Sequence, residues 1–391
     1  MSLEGIADLP LHDGHVPPWL IRIMERLAKA ILEIMVDEFG PDKVIERLAN
    51  PLWFQALNNV IGMDWDSSGS TTVTLGILKK ITWGKPELGI VILGGKGANA
   101  RKVPEEIPKA LRLLRLSTDN GVNYENISRL VAKIDTALLQ DGYTLYHHSL
   151  ILSESGKWAI VQQGMNVDKR MARRYHWKYD TKFYEDPHEA IAGIKHERVL
   201  NLVSRDARKA QKTILDLARE NPSSVVREYS QILSSALGQK TIVEYITGTQ
   251  TGLIKIDKNK KITYYSPLPT PEYLLRKLRT LREAYPKDLN ELLLVKGVGS
   301  YVIRALALIS DLIYNEPPSW NDPVTTPYDP FKYAYAIGGK DGVPYRVNRR
   351  QAEEVVITLE NIISRAKIDG KERYMALKRL RRLSEKISIK I

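Results

Sequence analysis

A glycine-centred stretch in the last third of the 391-residue sequence constrains the fold more than any other part. Asp288 followed three residues later by Glu291 is a typical helix start, and an apolar helical turn follows it. Glycine stops this helix at Gly297, and a second helix is predicted to begin at Ser300. The sequence therefore predicts two helices joined by a tight turn, with the first amides of the second helix pointing outward.

This stretch resembles the helix-hairpin-helix module, in which a Gly-apolar-Gly hairpin grips phosphates of a nucleic acid. The resemblance implies binding to the backbone with little sequence specificity, because helix amides and dipoles bind phosphate without reading bases. An ordinary αα-hairpin with a glycine turn is the alternative. The predicted nucleic-acid contacts are Lys296, Gly297, Val298, Gly299, Ser300, Tyr301 and Arg304.

The composition of the chain indicates which partners, chemistries and cellular location to expect. The formal net charge of +12 favours an anionic partner. The sequence contains no cysteine, which excludes disulfides, thiolate metal sites and a cysteine nucleophile. Without a membrane span or a signal peptide pattern, we expect a cytoplasmic protein. The lack of cysteine is also compatible with a thermophilic source.

The order of predicted elements indicates an α+β protein. Residues 1–198 are expected to form a mixed α/β domain with a β-hairpin-containing sheet, which would hold the catalytic groups. Residues 199–268 are expected to form a helical linker domain with a small basic hairpin at 255–263. Residues 269–391 are expected to form a mainly helical nucleic-acid-binding domain. Within the first domain, a run rich in β-branched residues predicts a strand from Thr71 to Leu78.

The clearest β-hairpin runs from Tyr143 to Gly164. Its predicted antiparallel register pairs Leu152 with Trp158, Leu150 with Ile160, His148 with Gln162, and His147 with Gln163. Each face of the hairpin then carries one imidazole beside one amide.

A candidate catalytic cluster combines this hairpin with the helix that precedes it. Two carboxylates with a histidine could bind Mg²⁺ or Mn²⁺ and orient a water for phosphodiester hydrolysis. Asp135 and Asp141 are the predicted metal ligands, and no organic cofactor is expected. The alternative is that these groups only make structural hydrogen bonds. The catalytic candidates are Asp135, Asp141, His147, His148, Gln162 and Gln163.

Other polar segments are weaker candidates. Residues 168–178 read as a basic, aromatic turn, in which Arg173, Arg174 and Trp177 could contact nucleic acid by charge and stacking. A solvated basic turn is the alternative. The pairs His12/His15 and Asp64/Asp66 are possible metal or phosphate contacts in loops.

The chain as a whole resembles the prokaryotic, largely archaeal family catalogued as domain of unknown function 763. The resemblance implies one family fold over nearly the whole chain, and it transfers no catalytic residue. It is carried by short segments that begin at Leu9, Asp66, Gln140, Tyr146, Val161, Ala172 and Gly338.

These features predict a DNA-binding protein of DNA repair or processing that acts as a metal-dependent deoxyribonuclease. One alternative is a DNA glycosylase-like enzyme, since that class also carries an acid downstream of a helix-hairpin-helix, here Asp322. The hairpin lacks a lysine at its junction with the second helix, which makes a lyase step doubtful. The other alternative is a non-enzymatic DNA-binding or architectural protein.

Overall fold

The computed structural model describes residues 9–10, 18–63, 68–117, 121–236, 262–325 and 349–388. The loop histidines His12 and His15, the acids Asp64 and Asp66, and the basic hairpin at 255–263 lie outside the described residues, apart from 262–263.

Three helices form the N-terminal layer: α1 (Pro18–Ala49), α2 (Pro51–Ile61) and α3 (Ser68–Gly84). Helix α1 bends at Gly40, whose positive φ of 77° interrupts the helical path before Pro41. Asn50 caps α2 by accepting hydrogen bonds from the amides of Leu52 and Trp53, at 2.9 and 3.2 Å.

Helix α3 occupies the stretch from Thr71 to Leu78 for which the sequence predicts a strand, so that prediction is wrong. The buried residues Thr71, Thr74 and Leu78 recur at helical spacing. Packing of this face against the sheet and α1 outweighs the strand preference of β-branched residues, which depends strongly on context.

The remaining helices follow the first strands of the sheet. A π-helical segment, Ile134–Leu138, continues α5, and short 3₁₀ turns cover Pro86–Leu88, Gly97–Lys102 and Arg205–Ala207. The helices are α4 (Val103–Leu113), α5 (Tyr124–Lys133), α6 (Arg208–Arg219), α7 (Pro222–Ala236), α8 (Pro271–Ala284), α9 (Leu289–Leu294), α10 (Ser300–Leu312), α11 (Arg349–Arg365) and α12 (Gly370–Ser388).

An antiparallel sheet has the strand order β1-β6-β5-β4-β2, with β7 paired to β6, and β3 and β8 form a separate pair. The strands are β1 (Leu9–Pro10), β2 (Ile90–Lys96), β3 (Leu139–Gln140), β4 (Thr144–Ser153), β5 (Trp158–Asn166), β6 (Met171–Lys178), β7 (Ala190–Ala192) and β8 (Leu200–Asn201). Helices beside a small antiparallel sheet confirm the α+β class.

The register of the β4–β5 hairpin is confirmed. Leu150 pairs with Ile160 and His148 pairs with Gln162. A bulge between Leu145 and His147 shifts the register near the open end of the hairpin, where Leu145 pairs with Gly164 and Thr144 with Met165.

The sheet separates two apolar cores, because alternate side chains of each strand point to opposite faces. One face, which includes Leu150 and Ile160, packs with helices α4 to α10, and this core runs from residue 91 to residue 324. It therefore crosses the predicted domain boundaries at 198 and 268. The other face, which includes Ile151 and Val161, packs with helices α1 to α3, α11 and α12.

No helix in the part of the chain that the structure describes is both long enough and apolar enough to cross a membrane.

Candidate nucleic-acid interface and polar cleft

The turn between α9 and α10 has the local geometry that its sequence predicts. Asp288 caps α9 by accepting a hydrogen bond of 2.9 Å from the amide of Glu291. Gly297 has a φ of +88°, which few residues other than glycine adopt. Val298 is buried and anchors the turn, and its amide donates to the carbonyl of Val295 at 3.2 Å. Gly299 is the N-cap residue of α10.

The turn lies at the protein surface. Lys296 and Gly297 are exposed, Gly299 and Ser300 are half-buried, and Tyr301 is 47% exposed. The first amides of any helix have no acceptor within the helix itself. In α10 two of them belong to Ser300, which is half-buried, and Tyr301, which is exposed, so the residues that carry the predicted phosphate-binding amides lie at the surface.

Lysines from two other helices lie at the turn. The ammonium group of Lys277, on α8, lies so close to Gly297 that a Cβ at this position would collide with it. Lys133, at the end of α5, donates a hydrogen bond from Nζ to the carbonyl of Val298. Burial lowers the pKa of Lys133. The glycine thus makes room for cationic side chains, a role that the sequence pattern did not indicate.

The guanidinium of Arg304, which was predicted to contact nucleic acid, makes hydrogen bonds within the protein. Its Nε donates to Gln140 Oε1 at 2.8 Å, and its Nη1 donates to the carbonyl of Pro267 at 2.6 Å. Gln140 in turn donates to the carbonyl of Ser300 at 3.1 Å. Arg304 therefore holds the start of α10 in place.

A cleft of about 870 Å³ opens beside this turn. Helix α5, the 3₁₀ turn at 97–102 and strand β4 line it, and Leu294, at the end of α9, lies at its edge. Its cationic side chains are Arg101, Arg129 and Lys133. Since Lys133 lies in the cleft and also contacts Val298, the cleft and the turn form one continuous surface.

A chain of hydrogen bonds crosses the floor of the cleft. Ser128 Oγ lies 2.8 Å from His148 Nε2, and His148 Nδ1 lies 2.7 Å from Gln162 Oε1. Gln162 Nε2 donates to the carboxylate of Asp135. Ser128, His148 and Gln162 all line the cleft, whereas Asp135 lies beneath it, 1% exposed.

Asp135 fixes the direction of every hydrogen bond in this chain. Its Oδ2 accepts from Gln162 and, at 2.9 Å, from the indole N–H of Trp177, while its Oδ1 lies 2.6 Å from His188 Nε2. Because an amide nitrogen only donates, Gln162 must turn its oxygen toward His148. His148 then carries its proton on Nδ1, and the bare Nε2 accepts the hydroxyl proton of Ser128.

Asp141 belongs to a different network. The guanidinium of Arg173 binds Asp141 Oδ2 at 2.8 Å and Asp322 Oδ2 at 2.7 Å, and Tyr175 also donates to Asp141 Oδ2 at 2.7 Å. Burial alone would lower the pKa of Arg173, but the charges of the two carboxylates outweigh it and raise the pKa. Asp322 also accepts from the amides of His196 and Val324. Both carboxylate oxygens of Asp322 therefore accept structural hydrogen bonds, and this geometry does not support a role for Asp322 as the acid of a glycosylase.

The predicted metal ligands do not fit a metal site. Asp135 and Asp141 lie in separate networks, and their oxygens are occupied by hydrogen-bond donors. Among the described residues, no group of three or more His, Asp or Glu side chains is arranged to hold a metal ion. We therefore derive no catalytic step through Mg²⁺ or Mn²⁺.

The second imidazole of the hairpin lies on the opposite face of the sheet. His147 Nε2 lies 2.9 Å from Ser149 Oγ, while its Nδ1 is buried and has no hydrogen-bond partner among the described residues. Burial, together with the charges of His148 and Lys96, lowers the pKa of His147 to about 3. Gln163, the partner of His147 in the register, makes hydrogen bonds with Thr71 and Tyr146. Gln163 therefore ties the sheet to α3.

The basic, aromatic segment predicted at 168–178 is strand β6, with a short turn before it. Arg173, Arg174 and Trp177 are fully buried, so the expectation that they contact nucleic acid is corrected. Arg173 neutralises two carboxylates, Arg174 lies over the ring of Phe54, and Trp177 donates to Asp135. The charged and aromatic groups of these three side chains therefore make contacts inside the protein.

Sequence reasoning missed four important residues: Ser128, Lys133, His188 and Lys277. Ser128 lies one helical turn from Tyr124 and Val131 on the buried side of α5, and this spacing was an available signal. The two lysines and His188 reach their sites only through long-range packing.

Comparison with known proteins agrees with the family resemblance. Residues 5–347 match the family described as Protein of unknown function (DUF763). The chain belongs to the DUF763 family. Neither the curated proteins nor the solved structures gave a match. The roles of residues in this DUF763 protein therefore have to be argued from its own geometry.

Replacing the buried cation should strongly destabilise the fold. We expect Arg173→Met to lower the free energy of unfolding by about 3–5 kcal/mol, because Asp141 and Asp322 would be left buried without their counterion. Chemical denaturation measures this change. The control Arg129→Met, on an exposed side chain, should change stability by less than about 0.5 kcal/mol. Equal effects of the two substitutions would contradict the assignment.

Acid should weaken the fold through His147. Its folded pKa of about 3 lies below the ordinary value of 6.5, so only the unfolded state takes up a proton as the pH falls through this window. The stability contributed by this group should fall by about 1.4 kcal/mol for each pH unit below 6.5. His147→Gln should therefore lose less stability between pH 7 and pH 5 than the wild type, measured by urea denaturation. Parallel losses in the two proteins would disprove this.

Proposed function

We propose that this DUF763 protein binds nucleic acid through its sugar-phosphate backbone, at the α9–α10 turn and along the adjoining cleft. The observation that carries the proposal is the glycine turn at 296–299, exposed at Lys296 and Gly297, with Lys133 and Lys277 held against it. Backbone amides and lysine ammonium groups that lie close together at a surface can bind a phosphate through hydrogen bonds and charge.

The chemistry of the turn suits a phosphate group. The first amides of α10 supply directed hydrogen bonds, and the positive end of the helix dipole adds to the attraction. Gly299 leaves open space where its Cβ would be, so a bulky tetrahedral anion can approach the backbone. Tyr301, exposed in the first turn of α10, offers an aromatic surface beside it.

The cleft supports a polymer rather than a single phosphate. Arg101, Arg129 and Lys133 line it, and it leads directly to the turn. A chain of phosphates could therefore contact cations in the cleft while one phosphate is held by the turn. The net charge of +12 would add a long-range attraction for such a polyanion.

The preference for DNA over RNA in this proposal comes from the resemblance of the turn to the helix-hairpin-helix of DNA repair proteins. A role in DNA repair or processing and a cytoplasmic location belong to the same proposal. Because contacts to the backbone carry no base information, binding should show little dependence on sequence.

A single methyl group at Gly299 tests the proposed phosphate site. The Cβ of Gly299→Ala would meet no atom of the described residues within 4 Å, and the backbone φ of −156° suits any residue. Stability should therefore change by less than about 1 kcal/mol. The methyl group would occupy the space of the bound phosphate, so we expect the Kd for a labelled 20-bp DNA duplex to rise about tenfold or more.

Gly76→Ala is the matched control. Gly76 lies on the exposed side of α3, and a Cβ there likewise has no neighbour within 4 Å in the described part of the chain. Its affinity for the duplex should equal that of the wild type in a fluorescence anisotropy titration at fixed salt. The loss in Gly299→Ala should be the same for duplexes of unrelated sequence. Unchanged affinity in Gly299→Ala would remove the turn from the binding surface.

A further inference from the structure

The floor of the cleft carries an arrangement that binding alone does not require. We propose that Ser128 is the nucleophile of a phosphodiester cleavage reaction, with His148 as its general base and Gln162 as the residue that positions His148. This inference rests on the proposed binding of nucleic acid in the cleft, and it adds a covalent step to it.

The hydrogen-bond directions are those of an activated serine. Ser128 donates its hydroxyl proton to His148 Nε2 at 2.8 Å, and His148 Nδ1–H donates to Gln162 Oε1 at 2.7 Å. An imidazole that is oriented on one nitrogen and accepts from a hydroxyl on the other can remove the hydroxyl proton as an oxygen nucleophile attacks. Gln162 is itself held by Asp135, so the imidazole has one available orientation.

The environment of His148 keeps its imidazole neutral, which is the form that can accept a proton. Burial lowers the pKa of His148, although its hydrogen bond to Gln162 partly opposes the effect. The imidazole is therefore neutral near pH 7 and able to accept a proton. Ser128 and His148 are 5% and 6% exposed, yet both line the cleft, so a substrate in the cleft would meet them directly.

The same cleft offers charge stabilisation for a phosphoryl group. Arg129 and Lys133 lie one and five residues after Ser128, on the same helix, and both line the cleft with Arg101. Cations that line the same cleft would offset the negative charge that develops on the oxygens of the reacting phosphate.

The proposed reaction is a balanced two-step hydrolysis. In the first step Ser128 Oγ forms a bond to phosphorus, the bond from phosphorus to one strand oxygen breaks, and the serine proton passes through His148 Nε2 to that leaving oxygen. One strand end is released as a hydroxyl, and the other stays attached to Ser128 as a phosphodiester. In the second step a water attacks phosphorus, its proton passes through His148 to Ser128 Oγ, and the attached strand leaves with a terminal phosphate.

A second serine-histidine pair in the same strand provides a contrast. Ser149 Oγ lies 2.9 Å from His147 Nε2, but in the part of the chain that the structure describes no hydrogen-bond partner of His147 Nδ1 fixes the tautomer. Ser149 is 1% exposed and does not line the cleft. In both pairs a serine thus lies close to a histidine. Of the two serines, only Ser128 lines the cleft and faces a histidine whose tautomer is fixed.

A reagent for activated serines tests the nucleophile without any nucleic acid. Wild-type protein is incubated with a biotinylated fluorophosphonate at pH 8, and the modified peptide is identified by mass spectrometry. We expect labelling of Ser128, its loss in Ser128→Ala and His148→Gln, and normal labelling in Ser149→Ala. Because the site is read in the wild-type protein, a poorly folded variant does not obscure the result. Absence of label at Ser128 in the wild type would overturn the inference.

Cleavage and binding are then measured on the same DNA. With an end-labelled 20-bp duplex and the matching single strand, Ser128→Ala should lower the cleavage rate at least about a thousandfold and leave the Kd unchanged. A covalent protein-DNA adduct should form with the wild type and not with Ser128→Ala. Binding without Ser128-dependent cleavage would overturn this inference and leave the proposed function intact. Labelling at Ser128 without any binding of DNA would instead remove the proposed function and show that the nucleophile acts on another substrate.

Discussion

The buried carboxylate of Asp135 is the constraint on which the arrangement of the cleft depends. A carboxylate removed from water must be fully hydrogen-bonded, and Asp135 is satisfied by contacts with Gln162, Trp177 and His188. These partners come from β5, β6 and the segment before β7, so one acid joins the π-helical turn after α5 to the sheet. Through Gln162 the same acid sets the tautomer of His148, and through His148 it sets the direction in which Ser128 donates.

Helix α5 connects the two parts of the proposed surface. Ser128, Arg129 and Lys133 all belong to this helix and line the cleft, and Lys133 reaches the carbonyl of Val298 in the α9–α10 turn. This hydrogen bond joins the turn directly to the cleft, and Val298 also packs in the same apolar core as helix α5. Arg304 and Gln140 add a second connection between α10 and the end of the π-helical segment. A polyanion held at the turn would be directed along α5 toward His148.

Short-range sequence patterns correctly predicted the structural features that depend on residues close together in the chain. The helix start at Asp288, the glycine turn and the β4–β5 register all follow from short-range rules of capping, positive φ and alternation, and the structure has each of them. The predictions of a strand at Thr71–Leu78 and of nucleic-acid contacts at Arg173, Arg174 and Trp177 were wrong, because tertiary packing overrides strand preference and buries these side chains. Of the six predicted catalytic residues, the structure brings together only His148, Gln162 and Asp135. Asp141 pairs with Arg173 through a contact between distant parts of the chain, and His147 and Gln163 make other hydrogen bonds.

The protonation of His148 is the most direct test of this account. A long-range ¹H–¹⁵N correlation spectrum at pH 7, with the imidazole signals assigned by their loss in His148→Gln, reports which ring nitrogen carries the proton. The hydrogen bonds that originate at Asp135 predict a proton on Nδ1 and a bare Nε2 facing Ser128. A proton on Nε2, or on both nitrogens at this pH, would contradict the account, because His148 could then no longer accept the proton of Ser128.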